Sequence, residues 1–221
     1  MAVLLEGGCR VATMNDDAPQ VTGKLISMRV LELKPGVSET FSNDDRDEVL
    51  YALDACAVVI DDVTHEVEPQ SGVFIPAQKS FRFENQGTEP ARFVSVLSPA
   101  TSLPPPVSVV RLADQRAMPT ADRWYRVLLD SEVTQFVGSI PPGRAPDHFH
   151  EYEEVLFILR GEGRMWAGTI STPIEFGSCI YLPRKQVHCV ENTGAGELRL
   201  LGVFYPAGSP AVRYEAATQN P

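Results

Sequence analysis

Apolar residues in this chain come in short bursts rather than long stripes. KLISMRVLEL (24–33), EVLYAL (48–53), CAVVI (56–60), GVFIP (72–76) and FVSVL (93–97) occupy the first half. WYRVLL (124–129), VTQFVGSI (133–140), EVLFILR (154–160), SCIYLP (178–183) and LRLLGVF (198–204) occupy the second. Each burst is rich in β-branched or aromatic residues and bounded by Gly, Pro, Asn or Asp, the pattern of antiparallel strands joined by turns. No segment of helical length carries a 3.6-residue apolar stripe, so helix is expected to be minor.

The bursts also repeat. DEVLYALDA near residue 48 is echoed by EEVLFILRGEG near 154, and SGVFIPAQKSFRFENQG (71–87) by GSCIYLPRKQVHCVENTG (177–194). A further apolar strand follows each pair, ARFVSVLSP and LRLLGVFYPAG. Two copies of one strand–turn plan in the same order predict a duplicated all-β fold. TSLPPPVSVV lies between them, and its three consecutive prolines cannot continue a central strand. The domains are therefore expected to be 1–103 and 104–221.

Composition narrows the function. A formal net charge of -10 disfavours binding to phosphate backbones or anionic lipid surfaces, so no nucleic-acid or membrane partner is expected. No apolar run approaches a membrane span. The opening MAVLLEGGCRV lacks a basic region and is interrupted by Glu6, so it does not read as a signal peptide, and a cytoplasmic protein is expected. Cys9, Cys56, Cys179 and Cys189 show no CxxC spacing and read as small buried hydrophobes.

The chain has only four histidines, and three belong to one arrangement: His148-Phe149-His150, then Glu154, and later His188. Positions i and i+2 of a strand share a face, so His148 and His150 can present both imidazoles to one ion. Glu154 keeps that parity, and His188 would arrive on a second hairpin. Cys189, its neighbour, should face away. Three imidazoles and a carboxylate suit one divalent transition metal: Fe(II), Mn, Ni, Co, Cu or Zn. An octahedral ion so held retains open positions, a catalytic arrangement. His65, alone, is assigned no role, and NDDRDE lacks the Gly-centred loop of a Ca²⁺ site.

These residues resemble the two motifs of the cupins. Gly143, His148, His150, Glu154 and Gly161 match the first, with the gap after Gly143 one residue short; Gly177, Pro183, His188 and Asn192 match the second, with Lys185 replacing its central glycine. The resemblance implies two tandem cupin barrels (double-stranded β-helix, or jelly roll), fused as a bicupin. In the N-terminal copy, Ser42, Asp44 and Phe81 fall at the three histidine positions, so only the C-terminal barrel is expected to hold metal. Resemblance and strand parity together suggest Gln135 and Tyr181 as further catalytic residues beside Glu154, with Tyr152, Arg164 and Trp166 near the barrel mouth.

Cupins host many reactions. The leading expectation is an Fe(II) dioxygenase acting on a small enol, diketone or catechol-like substrate chelated to the metal. The alternatives are a non-oxidative isomerase, lyase or cyclase, a ureidoglycine aminohydrolase-like enzyme, and a binding bicupin without activity. A homodimer through the outer sheets is a further expectation, although the fused copy can satisfy that contact.

Overall fold

The computed structural model describes residues 2–120, 123–211 and 214–215. Each half folds as two antiparallel sheets facing one another in a jelly-roll barrel. In the N-terminal half, a six-stranded sheet runs in the order Ser108–Arg111, Ser71–Ile75, Arg46–Ala52, Ala91–Pro99, Ser27–Leu33, Val21–Thr22. It faces a smaller sheet in the order Gly36–Val37, Ser80–Asn85, Cys56–Ile60, Val63–Val67, with Phe41–Ser42 also paired to Ser80–Asn85. The C-terminal half repeats the plan. Its large sheet runs Val3–Leu4, Arg10–Thr13, Ser178–Leu182, Glu153–Arg160, Leu198–Tyr205, Thr134–Ile140, Arg123–Asp130, Met118–Thr120. Its small sheet runs Ile170–Glu175, Glu162–Ala167, His188–Asn192, His148–Phe149, Tyr214–Glu215, with Gly143–Arg144 against His188–Asn192.

Two strands of the small sheets, SFRFEN and EGRMWA, alternate between buried and more accessible positions, because one face covers a barrel interior and the other meets water. The central strands of the large sheets, among them Arg46–Ala52, Ser71–Ile75, Glu153–Arg160 and Ser178–Leu182, are buried almost throughout, as are all seven residues of Thr134–Ile140. Their second face is covered because the two large sheets pack together. Val49, Tyr51, Phe74, Val94 and Val96 from one half meet Val137, Val155, Phe157, Leu201 and Val203 from the other in a single cluster. Separate clusters fill each barrel. Burying apolar area between the large sheets at about 25 cal/mol per Å² makes this shared layer a main source of stability.

The duplication reaches the turns. Gln78 and Lys185 hold equivalent places after Pro76 and Pro183, with φ of 68° and 63°. Their amides donate to Asn43 O and His150 O, each at 2.7 Å. That left-handed conformation is what glycine normally supplies; Lys185 adopts it without the glycine, and the turn that carries His188 is retained. Asn85 and Asn192 correspond too. Asn85 Nδ2 donates to Leu33 O and Glu89 O, and Asn192 Nδ2 to Ile140 O and Gly196 O, while each Oδ1 accepts from the amide two residues on. The motif asparagine thus ties a loop.

The hydrogen-bonded sheets do not follow the proline connector. Arg10–Thr13 pairs with Ser178–Leu182 and joins the C-terminal barrel, while Ser108–Arg111 pairs with Ser71–Ile75 and joins the N-terminal one. Each barrel takes its outer strand from the other side of residue 103. No helix among the described residues is long and apolar enough to cross a membrane.

Candidate metal centre

His148 and His188 are direct cross-strand partners in the small sheet, and His150 leaves that strand toward the large one. The three ring centroids lie 4.9 Å (148–150), 4.5 Å (148–188) and 5.2 Å (150–188) apart. One ligand nitrogen from each falls within 4.8 Å of the others. The backbone decides which nitrogen. His148 Nδ1 meets Pro146 O at 2.9 Å and His188 Nδ1 meets Gln186 O at 2.7 Å. A carbonyl only accepts, so both Nδ1 atoms carry the proton and each Nε2 keeps a lone pair for an ion. His150 Nδ1 meets Tyr152 Oη at 3.0 Å.

Glu154 stands beside them, its Oε2 3.7 Å from His150 Nε2. The carboxyl is buried, and desolvation pushes it up to about 8. A buried carboxyl raised in this way is relieved by a divalent cation more effectively than by any neutral partner. Three imidazoles and this carboxylate therefore suit such an ion.

The centre opens onto a cavity of about 90 Å³ whose walls include Trp124, Tyr125, Phe136, Leu156, Val190 and Leu200. Thr120 and Arg123, cross-strand neighbours, also line it, as does Ser139. Gly202 leaves room for the Phe136 ring: a Cβ there would lie 2.2 Å from it. The site is thus a polar cluster set against an apolar chamber.

Gln135 and Tyr181 are not part of it. Gln135 Nε2 donates to Leu50 O of the other barrel at 3.1 Å, and its neighbour Phe136 takes the cavity side. Tyr181 lies in the inter-barrel cluster, with the Arg10 guanidinium over its ring, while Ile180 and Leu182 face the barrel interior. Both expectations fail by one position of strand parity. Arg164 and Trp166 lie away from the mouth: Arg164 Nε donates to Ser171 Oγ at 2.9 Å, and Trp166 Nε1 to Glu191 Oε2 at 2.8 Å. Tyr152 does line the cavity. Cys189 turns from the centre, its Sγ accepting from Arg144 Nε at 3.3 Å. The cavity walls Trp124, Tyr125, Arg123 and Phe136 were not anticipated, although Leu156 shares Glu154's parity and could have been read from it.

Among the described residues, the N-terminal barrel has no equivalent centre. Glu48 is buried, but Arg29 Nη2 lies 3.0 Å from its Oε1 and Asn43 Nδ2 donates to Oε2 at 2.9 Å, with a further hydrogen bond from Ser95 Oγ. Phe41, Phe81, Phe83 and Phe93 fill the remaining space in mutual ring contact. A guanidinium there supplies positive charge beside the buried carboxyl.

Comparison with known proteins agrees with this fold. Residues 136–204 match the family model of the cupin domain. Auxin-binding protein 1 of Arabidopsis thaliana is 32% identical over 83 residues, 33% of this chain and 42% of that protein. The oxalate-binding protein of Thermotoga maritima is 36% identical over 67 residues, 29% of this chain and 55% of that protein. The matches thus span only about half the length of these relatives. Among solved structures, a putative glyoxylate induced protein from Pseudomonas aeruginosa superposes with a TM-score of 0.78 at 17% identity, covering 100% of this chain and 95% of its own. Oxalate decarboxylase of Bacillus subtilis, described with Mn(II) centres, gives 0.70 at 15% identity, covering 95% and 76%. At such identities the structural likeness speaks for the fold.

Proposed function

We propose that this chain is a cupin, residues 136–204 matching the family model of the cupin domain, and that its C-terminal barrel is a metal-dependent active site for a small molecule, most consistent with dioxygenase chemistry. The observation that supports this is the convergence of three imidazoles and a buried carboxyl at the end of an apolar chamber. A divalent ion there, Fe(II) for an oxygenase, would supply Lewis acidity and open coordination positions. His148, His150, His188 and Glu154 would hold it. Phe136, Leu156 and Val190 would exclude water and take the hydrocarbon part of a substrate. Arg123 would favour an anion such as an enolate, diketonate or catecholate, whose two adjacent oxygens can chelate. Four buried, free cysteines fit a reducing, cytoplasmic setting.

The second reading is non-oxidative chemistry, decarboxylation or another lyase reaction, favoured by the Mn(II)-containing oxalate decarboxylase among the similar folds. The apolar walls count against oxalate itself, which has no hydrocarbon to bury. The test is an oxygen electrode with Fe(II)-loaded protein and a panel of diketones, enolisable 2-oxo acids and catechols. One substrate of the panel is expected to draw O₂ in proportion to its own loss, and His150→Ala to draw none. Turnover under strict anaerobiosis refutes the dioxygenase and selects the lyase reading.

A further inference from the structure

His150 is oriented differently from its two companions. Backbone carbonyls fix His148 and His188, whereas His150 Nδ1 meets a side chain, Tyr152 Oη, at 3.0 Å. The Tyr152 ring stacks on the His150 imidazole, with centroids 4.7 Å apart and planes at 11°, and on Phe204, at 4.1 Å and 14°. The same hydroxyl lies 3.5 Å from Ser209 O. Tyr152 therefore touches both a proposed metal ligand and the chain segment that follows the last strand of the large sheet.

That segment crosses the metal end of the barrel. Ala207 N donates to Glu132 O at 2.7 Å, Gly208 N and O both lie 3.3 Å from Thr134 Oγ1, and Pro210 lines the cavity. Tyr214–Glu215 then pairs through its backbone with His148–Phe149, Glu215 opposite His148. Residues 206–211 thus lie against the large sheet, and 214–215 pair with the small one. The 206–211 strap passes so close to Tyr152 that a Cβ on Gly208 would lie 2.7 Å from the ring.

The direction of the hydrogen bonds depends on metal. With His150 Nε2 committed to an ion, its remaining proton is on Nδ1, so His150 donates to Tyr152 Oη. The phenolic proton is then directed away from the imidazole, and Ser209 O is an acceptor in reach. In ion-free protein the imidazole can take the other tautomer and accept from the tyrosine, which leaves Ser209 O without that donor.

We propose that Tyr152 is a positioning residue that couples metal binding at His150 to seating of the 206–211 strap. The inference rests on the reading that the centre holds a divalent ion. Coupling of this kind is reciprocal: whatever factor the seated strap adds to metal affinity, metal adds to the seating of the strap. Removing the hydroxyl while keeping the ring should weaken metal binding by about 10-fold to 100-fold, the usual effect of losing a partner behind a ligand histidine. It should also abolish communication with the strap.

The experiment titrates Mn(II) into chelator-stripped wild type and Tyr152→Phe, and follows hydrogen exchange of the Ala207, Gly208, Ser209 and Ala211 amides with and without the ion. Wild type is expected to bind Mn(II) and to slow exchange at these amides. Tyr152→Phe is expected to bind more weakly and, at saturating Mn(II), to leave their exchange unchanged. Wild-type affinity in the variant, or wild-type protein that binds Mn(II) without any change in strap exchange, overturns the coupling and leaves the metal site standing. The second of these results needs no variant, so it holds even if Tyr152→Phe folds poorly. Wild-type protein that binds no Mn(II), Fe(II) or Co(II) overturns the metal reading and the coupling together.

Discussion

Replacing Glu154 with glutamine should stabilise the ion-free protein at neutral pH while crippling its metal site. The residue is 5% exposed, and burial raises its carboxyl from an ordinary 4.5 to about 8. Between those values the folded chain binds a proton that the unfolded chain has released, so stability falls as pH rises through that window. At about 1.4 kcal/mol per pH unit, and allowing for partial titration at both ends, the loss from pH 5 to pH 8 is about 3 kcal/mol. Glutamine occupies nearly the same volume and has no proton to release. The stability of Glu154→Gln minus that of wild type should therefore grow by about 3 kcal/mol across that range. Taking the difference between the two proteins cancels most of the contribution of groups they share, including the histidines. Urea denaturation with excess chelator, read by circular dichroism at both pH values, measures it. Adding the metal should reverse the order, because the ion replaces the proton on Glu154 and cannot do so on an amide. A difference that is the same at pH 5 and pH 8 refutes the argument.

Three further outcomes follow from the same geometry. Arg29→Met leaves Glu48 buried without its cation and should cost about 3 kcal/mol, most of which Arg29→Met/Glu48→Gln should recover in a double-mutant cycle; equal loss in the two proteins would show that Arg29 does not compensate Glu48. Tyr181→Phe and Gln135→Leu should leave metal affinity and turnover unchanged while lowering stability by about 1 kcal/mol, since both residues serve the inter-barrel layer; an assay showing lost turnover at full metal loading would contradict their placement. A fragment beginning at residue 104 lacks Arg10–Thr13, which exposes the edge of Ser178–Leu182 to self-association. Sedimentation should show oligomers that a peptide of residues 2–14 disperses, and a monomeric fragment with a sharp unfolding transition would count against the exchanged strand.

The convergence of the four proposed ligands was readable before the fold because these residues obey local rules. His148 and His150 share a face by alternation, and Glu154 and His188 sit at motif spacings. Ser42, Asp44 and Phe81 stand in the N-terminal copy where the other has histidines, a difference the sequence carries by itself. The compensation of Glu48 was not readable in that way. Nothing near Glu48 in sequence announces Arg29 or Ser95, which reach it from neighbouring strands of the large sheet.

Local pattern determined the strands, their duplicated order and the four converging side chains, because alternation and turn chemistry act over a few residues. Tertiary packing decided the rest. Gln135 and Tyr181 lie on strands buried on both faces, where hydrophobicity no longer distinguishes the barrel interior from the face turned to the other barrel. Arg10–Thr13 and Ser108–Arg111 exchange barrels because an open sheet edge takes whichever strand the chain brings alongside it. Tyr152 acquires its place between His150 and Ser209 only when the chain after Tyr205 folds back across the barrel end. That closure joins residues more than fifty positions apart, beyond the reach of any local rule.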